Sequence, residues 1–160
     1  PLADQGVLRG DHHVGGAEEG VGPGGENNDF IAKGRINFPA KLREIIGEKF
    51  WVVRGTSGRF LAVYSYQMWA DVQRQVMAQA GPDYERLLRW MNVGATEVTP
   101  DKQGRILIPA NLREYAQLQK DVMVIGAGRK AEIWNPVLWK QEDDSFDPLA
   151  HKELLNNLRL

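Results

Sequence analysis

A chain of 160 residues, 42% apolar and 26% charged, is about one ordinary domain or two half-size units sharing a core. It holds no cysteine, which excludes a disulfide framework and a thiolate metal site, and no apolar run nears the roughly 20 residues of a membrane helix. The net charge of −1 hides segregated blocks of −5 over residues 1–29, +5 over 31–60, −1 over 61–100, +3 over 101–130 and −3 over 131–160. Such a pattern can focus a positive field on one surface even though the total cancels.

Residues 1–28 are rich in glycine and acids and almost lack large apolar side chains, so they are expected as a disordered tail. Its neighbouring His12 and His13 lack convergent partners, which argues against a metal site. The segment also lacks the basic flank and apolar stretch of a signal peptide, and the expectation is a soluble, cytoplasmic chain.

Past the tail the sequence repeats itself. Residues 34–44 read Gly-Arg-Ile-Asn-Phe-Pro-Ala-Lys-Leu-Arg-Glu, and residues 104–114 read Gly-Arg-Ile-Leu-Ile-Pro-Ala-Asn-Leu-Arg-Glu, an offset of 70. At the same offset Trp134 echoes Tyr64 and Trp139 echoes Trp69. In the first copy, Arg35–Phe38 alternates as a half-buried strand, and Pro39 ends it and opens a helix over Ala40–Ile46 that stops at Gly47. Phe50–Val53 and Phe60–Tyr64 then read as a hairpin around Gly55-Thr56-Ser57-Gly58. Two helical stretches follow, Tyr66–Ala80 and Tyr84–Val93, broken by Gly81-Pro82. The second copy predicts a strand over Arg105–Ile108, a helix over Ala110–Leu118, strands Val122–Ile125 and Ala131–Trp134, and a short helix around Val137–Gln141. Each unit of about 40 residues is too small to close its own core, so the copies are expected to pair around a pseudo-two-fold axis. In that arrangement the single strand of one copy completes the sheet of the other. The expected divisions are a tail over 1–28, a first half over 29–75, a helical connector over 76–98, a second half over 99–142 and a polar segment over 143–160.

The run Asp101-Lys102-Gln103-Gly104-Arg105 through Ala116, with Glu132-Ile133-Trp134-Asn135 after it, resembles the MraZ family of bacterial transcriptional regulators. Lys33-Gly34-Arg35 through Arg43-Glu44, with Val63-Tyr64 and Trp69, carries the same resemblance in the first copy. It covers about residues 29–141. The resemblance implies an α+β fold of two AbrB-like (SpoVT-AbrB) halves forming a swapped-hairpin, double-split β-barrel, with helices between and after them. It also implies ring-like homo-oligomers and sequence-specific binding of double-stranded promoter DNA through an Asp-x-x-x-Arg motif in each half. The second motif falls on Asp101 and Arg105. In the first, Arg35 matches, but the aspartate position holds Ile31, with Asp29 two residues earlier. The implied target is a division and cell-wall gene cluster including the regulator's own gene, in the nucleoid.

The residues themselves suit that chemistry. Gly34 and Gly104 precede a strand, where a turn can require positive φ, and the arginine after each presents a fixed fork of donors suited to guanine or phosphate. Asp101, four residues before Arg105, is placed to hold that fork. Lys33 and Lys102 flank the junctions as phosphate contacts. Arg43 and Arg113 lie in the short helices beside Glu44 and Glu114, as either solvated surface pairs or further phosphate contacts. Tyr64, Trp69, Trp134 and Trp139 are expected as core anchors rather than base-stacking platforms.

Enzyme signatures are missing: there is no phosphate-binding Gly-rich loop, and no histidine between residues 14 and 150. Neither a catalytic role, a cofactor nor a small-molecule ligand is expected. An antitoxin-like protein-interaction module on the same barrel is the competing reading.

Overall fold

The computed structural model describes residues 34–158 and the backbone of Val7–Leu8. The rest of the expected tail, including His12 and His13, lies outside the described residues, as do Asp29, Ile31 and Lys33 of the expected first half. Val7–Leu8 forms strand β1, pairing antiparallel with Ile125 and Val124, so these two residues depart from the expected disorder.

The first copy consists of strand β2 (Arg35–Asn37), helix α1 (Ala40–Ile46) and a hairpin of β3 (Phe50–Arg54) and β4 (Leu61–Ser65). The second consists of β6 (Arg105–Leu107), α4 (Ala110–Tyr115) and a hairpin of β7 (Met123–Ala127) and β8 (Lys130–Trp134). The strand-to-helix corner is the same in both. Pro39 and Pro109, at φ −58° and −60°, are pre-set for it, and their carbonyls accept from the amides three and four residues on. The α4 helix is shorter than the expected Ala110–Leu118. Gln117 turns left-handed at φ 55°, Leu118 N–H closes back on the Arg113 carbonyl at 2.9 Å, and Asn135 Nδ2 donates to the Gln117 carbonyl at 2.7 Å. This turn drops Leu118 into the core.

Between the copies run α2 (Tyr66–Met77), α3 (Pro82–Val93) and strand β5 (Thr96–Val98). Ser65 caps α2 by accepting from Met68 N–H at 3.0 Å, and Pro82 begins α3 after Gly81. Arg54 ties the connector to the sheet: its guanidinium lies 4.1 Å from the Trp90 ring and donates to the Trp90 carbonyl at the end of α3. After the second hairpin, Asn135 caps α5 (Pro136–Ser145), followed by a 3₁₀ turn (Pro148–His151) and α6 (Lys152–Asn156). Most of the described part of the expected polar segment, residues 143–158, is thus helical, and it leaves Phe146, Leu149, Leu154 and Leu158 exposed.

All strand pairs are antiparallel. Six strands form one sheet in the order β1-β7-β8-β4-β3-β5, and β2 and β6 form a separate two-stranded ribbon. The single strands therefore pair with each other, where each was expected to complete the other copy's sheet. Among the described residues neither sheet closes into a barrel; β1 and β5 are the edges of the larger one. The two-fold relation is visible in the register. Ile36 pairs with Ile106 in the ribbon, and Ala62 pairs with Glu132 where β4 meets β8; both pairs are equivalent positions 70 apart. Matching hydrogen bonds flank the ribbon centre, Phe38 N–H to the Gly104 carbonyl (2.9 Å) and Ile108 N–H to the Gly34 carbonyl (2.7 Å).

The six-stranded sheet is apolar on both faces. Val52, Leu61, Val63, Val124 and Ile133 point toward the ribbon and meet Ile36, Phe38, Leu42, Ile106, Ile108 and Leu112. The alternate residues Val53, Ala62 and Ile125 point the other way, beneath Trp69 and Met91 of α2 and α3 and Leu138 and Trp139 of α5. Trp69 and Trp134 are buried and Tyr64 and Trp139 pack beside them, so the duplicated aromatics lie in the core. With each large apolar side chain contributing about 1.5–3 kcal/mol on burial, these layers hold the ribbon at a set height above the sheet.

Candidate nucleic-acid interface

The ribbon has one dry face and one outward face. Alternation buries Ile36 and Ile106 and leaves Arg35, Asn37, Arg105 and Leu107 on the side away from the core. Arg35 stands opposite Leu107 and Asn37 opposite Arg105, which puts the two arginines on a diagonal across the two-fold. Two residues along a strand and one strand across places their Cα atoms roughly 8 Å apart.

Both junctions depend on a buried glycine with positive φ, +71° at Gly34 and +81° at Gly104. A Cβ on Gly34 would run into the Ile108 carbonyl and come within 2.7 Å of Arg113 Nε; one on Gly104 would lie 3.3 Å from an Arg43 terminal nitrogen. The helix arginines have therefore crossed over. Arg113 of the second copy covers the glycine of the first, and Arg43 of the first covers the glycine of the second. Arg113 Nε donates to the Ile108 carbonyl at 3.0 Å, whereas the equivalent Arg43 Nε is buried with no hydrogen-bond partner. An Arg43 terminal nitrogen lies 3.9 Å from the Glu48 carboxylate.

Asp101 organises the turn before β6. Its N–H donates to the Arg105 carbonyl at 2.8 Å and its carbonyl accepts from Gly104 N–H at 2.9 Å. One carboxylate oxygen accepts from the N–H of Gln103 (2.8 Å) and of Arg105 (2.9 Å), and the other accepts from Arg105 Nε at 3.0 Å. These bonds, the Arg105 N–H foremost, hold the Asp101 carboxyl below the usual carboxylate range despite partial desolvation. The side chains are 34% (Arg105) and 41% (Asp101) exposed, so the ion pair itself adds only about 0.2–1 kcal/mol to stability; its effect is to orient the guanidinium.

Of the other residues singled out from sequence, Lys102 is exposed in the Asp101 turn, beside the ribbon, and Arg43 and Arg113 are half-buried against the glycines. Asn37 and Leu107 were not singled out. Their signal was present, since each lies two residues from an arginine along a strand and so shares its face. Among the described residues no helix is long and apolar enough to cross a membrane, and no group of three or more His, Asp or Glu is placed to hold a metal.

Comparison with known proteins bears on these features. A family model described as "MraZ protein, putative antitoxin-like" matches twice, at residues 27–89 and 91–153. A "Transcriptional regulator MraZ" of Thermoanaerobacter sp. (strain X514) is 42% identical over 132 residues, covering 78% of this chain and 92% of that protein. The protein of the same name from Acetivibrio thermocellus is 40% identical over 127 residues (76% and 88%), and that from Alkaliphilus oremlandii is 38% identical over 137 (84% and 94%).

Proposed function

The chain belongs to the MraZ family, and on that footing we propose that it is a sequence-specific DNA-binding transcriptional regulator, a repressor acting as an oligomer on repeated promoter sites. The observation that carries this reading is the outward face of the β2–β6 ribbon, with Arg35 and Arg105 on its diagonal. A two-stranded ribbon fits the major groove of B-DNA, and arginine is the side chain best suited to the two acceptors of guanine there. A separation of roughly 8 Å spans two to three base steps of about 3.4 Å. Asp101 pre-orients one of these arginines, while Lys102, Arg43 and Arg113 add positive charge around both, and Lys33, next to Gly34 in sequence, is a further candidate phosphate contact. The naming of the relatives as transcriptional regulators points the same way.

The target inferred from the family is a division and cell-wall gene cluster including the regulator's own gene, which places the protein in the cytoplasm at the nucleoid. On this reading the ribbon packed over the open hairpin sheet is the counterpart of the split barrel of AbrB-like halves. Exposed Met77, Tyr84, Leu87 and Val93 on α2 and α3 supply an apolar surface for assembly into a ring, and a ring sets many weak DNA faces side by side. Light scattering at micromolar concentration should give a multiple of the protomer mass; a monomer would remove the oligomer from this reading.

A second reading, an antitoxin-like partner binder, is favoured by the apolar residues exposed on the C-terminal helices. Mobility shift on the DNA upstream of the gene, set against a scrambled duplex of equal length, tests the first reading. A shift that is equal on both duplexes, or absent, would refute it, and specific capture of a protein partner in a pull-down would then support the second.

A further inference from the structure

We propose that Arg43 and Arg113 are positioning residues that act across the two-fold, each holding the DNA-reading junction of the opposite repeat. The binding half of this inference rests on the DNA-binding reading above; the coupling itself does not.

The connectivity is explicit on one side. Arg113 Nε donates to the Ile108 carbonyl, and the N–H of that same Ile108 donates to the Gly34 carbonyl, directly before Arg35. The Arg113 side chain also lies against the Gly34 Cα, in the space a Cβ would fill. A guanidinium there forms the back wall of the Gly34–Arg35 junction. By the two-fold, Arg43 lies against Gly104, before Arg105, though less tightly. Both side chains reach from the helix of their own repeat to the glycine of the other, and both are half-buried. A phosphate-binding arginine needs only charge and reach, whereas a back wall needs the flat, forked group, which lysine lacks.

This asymmetry between arginine and lysine makes the test. In the full chain, Arg113→Met keeps the apolar stem and Arg113→Lys keeps the charge; Arg43→Met and Arg43→Lys are their counterparts. Hydrogen exchange with residue-level fragmentation should show the Ile108 amide, which donates to the Gly34 carbonyl, exchanging about fivefold faster in both Arg113 variants, the equivalent of one lost hydrogen bond, with the Phe38 amide, which donates to the Gly104 carbonyl, unchanged. The Arg43 variants, which lose packing against Gly104 and no hydrogen bond of Nε, should speed the Phe38 amide by less than about fivefold and leave the Ile108 amide unchanged. If the Arg113 variants speed the Phe38 amide and the Arg43 variants the Ile108 amide, or neither amide responds, the crossed coupling is overturned without any reference to DNA. In titrations of the upstream duplex against a scrambled one, both Arg113 variants should lower the specific-to-scrambled affinity ratio, and their effect should be non-additive with Arg35→Ala and additive with Arg105→Ala. Full retention of that ratio by Arg113→Lys, with equal losses on both duplexes for Arg113→Met, would mark a plain phosphate contact and overturn the proposal.

Discussion

Replacing Asp101 with asparagine separates the turn from the brace that Asp101 gives Arg105. An asparagine side-chain oxygen can still accept from the Gln103 and Arg105 amides, as one carboxylate oxygen does now at 2.8 and 2.9 Å. The other position becomes an NH₂ donor facing the Arg105 Nε–H, so the 3.0 Å bond is lost. Two neutral hydrogen bonds in place of charge-assisted ones cost about 1 kcal/mol in this partly exposed turn, which leaves the protein folded. Binding should suffer differently. An unbraced guanidinium must be ordered on the DNA at about 0.5–1.5 kcal/mol, a 2- to 13-fold loss per site. Removing a negative charge near phosphates works in the other direction by strengthening all DNA binding. The informative quantity is therefore the ratio of specific to scrambled affinity, measured by fluorescence anisotropy at one fixed salt concentration. That ratio should fall 2- to 13-fold per site even if both affinities rise. An unchanged ratio in a variant whose melting temperature is near wild type would refute the brace. The direction with pH follows from the depressed Asp101 pKa: its contribution is complete above the unfolded value of about 3.9 and is lost only as pH falls through the lower folded value. Between pH 5 and 8 this group should leave both stability and specificity flat.

Arg105→Ala should reduce specific binding more than Arg35→Ala, by about 1–3 kcal/mol if a bidentate base contact is lost, while both variants fold and assemble as wild type; equal, sequence-independent losses in the two would count against unequal halves. Gly34→Ala should lower the melting temperature more than Gly104→Ala, because the first Cβ meets a backbone carbonyl and the second meets only the movable end of Arg43; equal shifts would show that positive φ alone sets the cost. Affinity for the upstream duplex should fall about 10³- to 10⁵-fold between 50 and 200 mM salt if six to ten phosphates are neutralised per complex, and a flat response would rule out a phosphate-anchored complex.

Much of this molecule is legible without coordinates, because its signals are local. Glycine before arginine marks the two junctions, proline marks the strand-to-helix corners, and period-two alternation assigns Ile36 and Ile106 to the core. The four-residue spacing of Asp101 and Arg105 is likewise local, and a tight turn brings them together as that spacing suggests. Pairing is not local. The same short strand can add to the other copy's hairpin or meet its own equivalent, and alternation is satisfied either way. In the ribbon Ile36 and Ile106, centred on the two-fold, join Phe38, Leu42, Ile108 and Leu112 in covering one face of the six-stranded sheet. Only that pairing carries Arg113 over Gly34 and Arg43 over Gly104, so sequence separations of 79 and 61 residues give no hint of either contact. The short α4 has a similar cause: helical periodicity continues through Leu118, but the chain must turn at Gln117 for that leucine to reach a core built largely by other segments.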